Sequence, residues 1–245
     1  MPRFYVEGCQ DAQTGITIMG EDVNHIKNVL RLTIGDTITV CDGAGKEYEC
    51  EIAEISKEQV YANIVDINQN AAELPCNITL FQGMPKSDKM ELIIQKSVEL
   101  GANSIIPVNM KRCVVKLEGK DEIKKNERWQ KIAESAAKQC GRGFIPEVKH
   151  LINVKEICNW INEYDVIIVA YENEKENTLK AELKKLKATD LKIGIVIGPE
   201  GGFEESDIKL LKESGAKIVT LGDRILRTET VALNVLSIIM YEFEQ

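Results

Sequence analysis

The chain has 245 residues, 44% hydrophobic and 29% charged, a composition that excludes a disordered or fibrous protein. No apolar run approaches the ~18 residues of a membrane span, and the opening MPRFYVEGCQ lacks the basic start and apolar stretch of a signal peptide, so a cytoplasmic location away from membranes is expected. The formal net charge of −8 argues against coating nucleic acid by bulk electrostatics.

Residues 1–72 carry 5 basic and 12 acidic side chains and read as short strands joined by turns. Glu21–Leu30 is a helical stretch. Thr37–Cys41 alternates and is rich in β-branched residues, a Gly43-Ala44-Gly45 turn leads to Tyr48–Ile55, and Val60–Ile67 alternates again. This is the pattern of a small β-barrel. Polar Asn68–Leu74, followed by Pro75, reads as a linker, which divides the chain into 1–72 and 73–245.

The rhythm then changes to alternating strands and helices. Ile78–Phe81 is a strand; Asp88–Leu100 is a helix with Met90, Ile93, Ile94 and Val98 at helical spacing and Gly101 placed to stop it. Ser104–Val108 is a strand, and Asn126–Cys140 a helix with Trp129, Ile132, Ala133 and Ala136 on one face. Asn153 and Glu156 form a capping-box pattern before a helix through Ile161. Strand Val166–Tyr171, helix Lys180–Leu186, strand Ile193–Ile197, helix Glu205–Ser214, strand Ile218–Leu221 and helix Thr228–Phe243 complete the chain. Such alternation predicts an α/β domain whose parallel sheet is covered on both faces. Residues 84–146 carry 13 basic and 8 acidic side chains, a local excess that suits a shape-selective RNA contact, although Lys111–Lys131 reads equally as a solvated surface. The seven cysteines show no CxxC spacing and there are only two histidines, His25 and His150, so no metal site is expected.

Two loops carry the chemical signal. Ile197-Gly198-Pro199-Glu200-Gly201-Gly202-Phe203 leaves an apolar strand and enters a helix, where open α/β sheets bind ligands. Its glycines let backbone groups approach a ligand closely, or serve only the geometry of a tight turn. It matches neither GxGxxG nor GxxxxGK[ST]. The second loop, Leu221-Gly222-Asp223-Arg224-Ile225-Leu226-Arg227-Thr228-Glu229, also joins a strand to a helix. Thr228 is placed to cap that helix, and Glu229 sits in its first turn, where negative charge is favoured. Arg224 and Arg227 oppose the same dipole, so a negative partner is expected: Glu200, Glu229 or a ligand's carboxylate or phosphate.

The pair IGPEGG and LGDRILRTETVAL resembles the signature of the SPOUT superfamily of methyltransferases, and more narrowly the RsmE family. Arg3-Phe4-Tyr5, His25 with Val29-Leu30-Arg31, Lys86 to Glu91 (KSDKME), Glu99-Leu100-Gly101, Trp129 and Gln139-Cys140-Gly141-Arg142 extend the resemblance over both domains. Val231 departs from it, since alanine is more usual directly after the second threonine. The resemblance implies a PUA-like RNA-binding barrel followed by a trefoil-knotted α/β methyltransferase domain. It implies S-adenosylmethionine held by Ile197, Gly198, Glu200, Gly201, Gly202, Leu221, Gly222, Ile225, Leu226, Arg227, Thr228 and Ala232. It further implies a homodimer whose target is N3 of a uridine, nucleotide 1498, in 16S rRNA. The acidic surface with its basic island at residues 84–146 suggests the assembled small subunit as substrate, with free RNA as the alternative.

N3 of uracil is a poor nucleophile while protonated, so a base or a stabiliser of the resulting anion is needed. Glu229 is the candidate base, with Glu200 in reserve, and Arg224 and Arg227 are candidates for stabilising the anion or orienting the donor. Candidate RNA contacts are Arg3, His25 and Arg31 in the first domain, and Lys86, Lys89, Arg112 and Arg142 in the second. A 2′-hydroxyl or tRNA-guanine methyltransferase of the same superfamily, an inactive assembly factor and a nucleotide-dependent oxidoreductase are the competing readings.

Overall fold

The computed structural model describes residues 1–6, 8–9, 14–69, 72–187 and 190–244. Residues 70 and 71 of the expected linker lie outside the described residues. The chain forms two compact units, Met1–Glu73 with Ala137–Ile145, and Leu74–Ala136 with Pro146–Gln245.

The first unit is a five-stranded sheet of β1 (Arg3–Tyr5), β2 (Gly15–Met19), β3 (Thr37–Cys41), β4 (Lys46–Ile55) and β5 (Gln59–Gln69). Their order is β1-β3-β4-β5-β2, antiparallel except for β1 beside β3. Register shifts between Glu49 and Cys50 and between Ile52 and Glu54 bend β4, as bulges do. Phe4, Ile18, Ile26, Ile38, Tyr48, Ile52 and Val60 fill the core. The stretch expected as one helix is α1 (Glu21–Asn24) followed by a π turn, His25–Val29, in which the Leu30 amide donates to His25 O. Arg31 follows in the left-handed region, at φ 55°. Strands β1 and β2 were not anticipated; they are short and lie at the sheet edges.

The added segment Ala137–Ile145 was not part of the division at residue 72 either. Arg142, its side chain 3% exposed, forms an ion pair with Glu73 at 2.6 Å, and Glu73 also accepts from the Gly143 and Phe144 amides. The Tyr5 hydroxyl donates to Arg142 O.

The second unit is a parallel seven-stranded sheet. Its strands are β6 (Cys76–Gly83), β7 (Ser104–Asn109), β8 (Glu147–Val148), β9 (Ile152–Asn153), β10 (Val166–Ala170), β11 (Leu191–Ile197) and β12 (Lys217–Val219). They run in the order β12-β10-β11-β6-β7-β8, with β9 also on β7. β10 is buried throughout and β11 at all but Lys192, which explains why both read as continuous apolar runs. The helices are α2 (Lys89–Glu99), α3 (Lys120–Cys140), α4 (Val154–Asn159), α5 (Leu179–Leu183), α6 (Glu205–Ser214) and α7 (Thr228–Phe243), with α2 packed on α7. The Asn153–Glu156 capping box is present, and Gly215, at φ 113°, ends α6. Helix α3 starts at Lys120 rather than Asn126, because the charged KDEIKK turn carries little apolar periodicity. The last strand stops at Val219, which leaves Thr220 and Leu221 to the loop. Among the described residues no helix is long and apolar enough to cross a membrane, and no group of three His, Cys, Asp or Glu side chains could hold a metal ion.

Candidate active site

A cavity of about 450 Å3 opens beyond the carboxyl ends of β10, β11 and β12. Three loops build it. Ala170, Tyr171 and Glu172 come from the first, Ile197 to Phe203 from the second, and Thr220 to Thr228 (without Asp223) from the third; Lys89 and Val231 complete the wall. Open α/β sheets hold ligands at this end.

The loops meet through buried polar contacts. The Thr228 hydroxyl donates to Gly198 O at 2.7 Å and accepts from Gln82 Nε2 at 2.9 Å. Gln82 is fully buried and also donates to Gly83 O. Gly83 lies under the second loop: a Cβ there would stand 2.7 Å from the Pro199 nitrogen. Gly202 has φ 69°, so the turn requires glycine; a Cβ on it would also meet Glu172 Oε1 at 2.5 Å, the end of a flexible side chain that can move aside. A Cβ on Gly201 would crowd the Arg112 backbone, 3.0 Å from its carbonyl oxygen.

Charge is arranged around Lys89. Its Nζ lies 3.3 Å from Glu200 Oε1 and 3.1 Å from Glu229 Oε2; both contacts are ion pairs rather than aligned hydrogen bonds. Glu200 also accepts from the Lys86 amide at 3.0 and 3.2 Å. Burial alone would raise the Glu200 carboxyl, but the Lys86 and Glu200 amides and the Lys89 ammonium outweigh it and hold it below the usual carboxylate range. The Lys89 ammonium is held above the usual lysine value, first by Glu229 and also by Glu200, against some burial. Arg224 and Arg227 form no ion pair among the described residues, and both line the cavity.

Of the residues expected to hold a cofactor, Ile197, Gly198, Glu200, Gly201, Gly202, Leu221, Gly222, Ile225, Leu226, Arg227 and Thr228 line the cavity, whereas Ala232 is buried and not part of its wall. Glu229 is not on the wall but pairs with Lys89, which is. Among the expected RNA contacts, His25, Arg31, Lys86 and Arg112 are exposed. Arg112 nevertheless donates to Glu204 at 2.8 Å and to Gly201 O at 3.3 Å. Arg3 is engaged by Glu47 and Cys41, and Arg142 by Glu73, so both serve the packing of the first unit. Sequence reasoning missed Gln82 and Gly83 at the end of β6, and Tyr171, Glu172 and Thr220. The loop after β10 is glycine-free and carried no motif; only its place after a buried strand could have flagged it.

Residues 72–240 match the family model described as an RNA methyltransferase domain, and residues 18–65 match an RNA methyltransferase PUA domain. The ribosomal RNA small subunit methyltransferase E of Bacillus subtilis is 39% identical over all of this chain and 98% of its own length. The chain belongs to the RsmE family. A crystal structure of the family's enzyme from Neisseria gonorrhoeae, bound to S-adenosyl methionine, has a TM-score of 0.85 at 32% identity, covering 99% of this chain and 98% of that one. A putative methyltransferase from Legionella pneumophila, also in complex with that cofactor, has a TM-score of 0.81 at 30% identity, covering 98% and 97%. The RsmE fold thus places a PUA domain before a SPOUT methyltransferase domain with a parallel sheet, and the cavity lies in the latter.

Proposed function

We propose that this RsmE-family chain transfers a methyl group from S-adenosylmethionine to N3 of a uridine in 16S rRNA, nucleotide 1498, within the assembled small subunit. The observation that carries the donor reading is the pairing pattern around the cavity. Lys89 takes both Glu200 and Glu229, which leaves Arg224 and Arg227, exposed on the cavity wall and without an ion pair among the described residues, free for a ligand's carboxylate or phosphate; the donor's carboxylate is one such group. The cavity falls within the ~300–1,000 Å3 of small-molecule sites, with apolar walls at Ile197, Leu221, Ile225 and Leu226 for a flat heterocycle, glycine backbone at Gly198 and Gly201, and open space over Gly222. The donor supplies a methyl group on an electrophilic sulfonium, which needs no metal. The chain's residues hold the donor, exclude water and remove the acceptor's proton.

Glu229 is the proposed base, and Glu200, held ionised and low by the Lys86 amide and Lys89, is the weaker candidate. The imino nitrogen must leave any base pair first, so the target is flipped or unpaired. His25, Arg31, Lys86, Lys89 and Arg112 remain proposed RNA contacts. The chain is proposed to work as a homodimer with the C-terminal part knotted. After the edge strand β12, α7 returns to pack on α2 and beside β6 and β11, which a knotted path would require. The deciding experiment is mass spectrometry of small-subunit RNA from cells with and without the gene. N3-methyluridine should be lost with the gene and restored by it; its persistence would refute the acceptor assignment.

A further inference from the structure

Lys89 stands where local physics disfavours it. It opens α2, and a cation in a first helical turn opposes the helix dipole. Its two partners come from elsewhere in the sequence, Glu200 from the loop after β11 and Glu229 from the first turn of α7. A lysine needed only to neutralise two surface carboxylates could sit in solvent, yet Lys89 lines the cavity, with its side chain 28% exposed. An ammonium has three N–H donors and no acceptor, so even with both carboxylates served at least one donor remains for a ligand. Its charge is secure, because both carboxylates favour the protonated form. Lys89 therefore cannot serve as a base at neutral pH, but it can serve as a fixed electrostatic donor.

We infer that Lys89 is a catalytic residue of the methyl transfer proposed above, donating from its ammonium to a uracil carbonyl oxygen, O2 or O4, flanking the reacting nitrogen. The inference rests on the N3 reading. The N3–H proton passes to the Glu229 carboxylate, and the charge left on N3, O2 and O4 is met by Lys89. The N3–CH3 bond forms as the S–CH3 bond breaks, sulfur keeping the electron pair, and Glu229 returns its proton to solvent. Glu229 and Lys89, 3.1 Å apart, are then a base and an anion-stabilising donor on one acceptor. Arg224 and Arg227 are left to the donor's carboxylate.

The acceptor's own acidity supplies the test. Fluorine at C5 of uracil withdraws electrons and stabilises the N3 anion without help from the protein. Small subunits lacking the modification are prepared with ordinary uridine or with 5-fluorouridine in their RNA, and single-turnover methylation is measured for the wild type, Lys89→Met and Lys89→Arg at saturating donor. Donor affinity is measured in parallel by calorimetry. Lys89→Met should lose roughly 10²–10³-fold in rate on ordinary subunits, as for removal of an oxyanion donor, with donor affinity changed less than about threefold. Lys89→Arg should recover part of the rate, and the deficit of Lys89→Met should shrink about tenfold or more on the fluorinated subunits. If Lys89→Met loses its melting transition, Lys89→Gln, which keeps a donor but not the charge, carries the comparison. An equal deficit on both substrates would overturn the assignment and leave Lys89 a clamp between two loops. A matching loss of donor affinity with the rate unchanged would overturn it in favour of a donor contact. Wild-type methylation at another atom, seen by product analysis, would sink the acceptor reading itself and the assignment with it.

Discussion

Thr228 is 5% exposed, and its hydroxyl both donates to Gly198 O and accepts from the buried Gln82 amide. Those two bonds join the glycine-rich loop, the second motif loop and the end of β6. Thr228→Val keeps the shape and removes both, leaving a buried carbonyl and an amide N–H unpaired at a cost of about 1–3 kcal/mol. The expected outcome is a lower urea midpoint together with weaker donor binding in calorimetry, both largely restored by Thr228→Ser; an unchanged midpoint would remove the tie from the account. Gly83→Ala should act on the same loop from below. Its Cβ would meet the Pro199 nitrogen at 2.7 Å, and backbone cannot yield as a flexible side chain does. An overpacking cost of about 1–3 kcal/mol is expected, with donor affinity reduced, although Gly83 itself is not part of the cavity wall.

At the scale of elements, Glu200 joins the loop after β11 to the turn before α2 through the Lys86 amide and Lys89. Its carboxyl is depressed on folding, so its contribution is present above the ordinary carboxylate range and is lost as pH falls through the folded value. Glu200→Gln should therefore melt below the wild type at neutral pH, and the gap should close on acidification below that range. A gap independent of pH would mean that the carboxylate's charge does not matter there. The elements of the second unit that were legible have local patterns: continuous apolar runs for β10 and β11, helical spacing for α2, and a capping box for α4. The two motif loops were legible for the same reason, since a glycine turn between an apolar strand and a helix is written in consecutive residues. What escaped is non-local. Arg142 reads as a surface cation until Glu73, 69 residues away, is seen beside it, and Lys89 reads as a solvated lysine until α2 is packed on α7. Strands β8 and β9, two residues each, are too short for alternation to register.

The whole molecule carries −8, and its first 72 residues hold 12 acidic against 5 basic side chains, so RNA must be met at selected cations rather than by a general field. Arg31, exposed and set in the left-handed region after the π turn, is such a candidate. Arg31→Glu should weaken binding to small subunits, with a shallower salt dependence, while donor affinity stays as in the wild type; an unchanged salt slope would remove Arg31 from the interface. Assembly makes the second prediction at this scale. Thr230, Asn234, Ser237 and Tyr241 form an exposed stripe along α7, flanked by half-buried Val231, Leu233, Ile238 and Met240, although the helix is apolar enough to be enclosed on most sides. A second copy packed on this face would bury that surface about a two-fold axis. Ile239 cannot test the idea, because it is fully buried within its own chain and Asp there would break the core. Ile238→Asp with Tyr241→Asp places two charges on the outer face alone. The pair should lower the mass seen by light scattering while leaving the melting transition cooperative. Because Val231 also lines the cavity, donor affinity should fall along with the dimer. A double variant that is monomeric yet binds donor as the wild type does would detach the pocket from the interface, and a wild type that scatters as a monomer would end the dimer proposal.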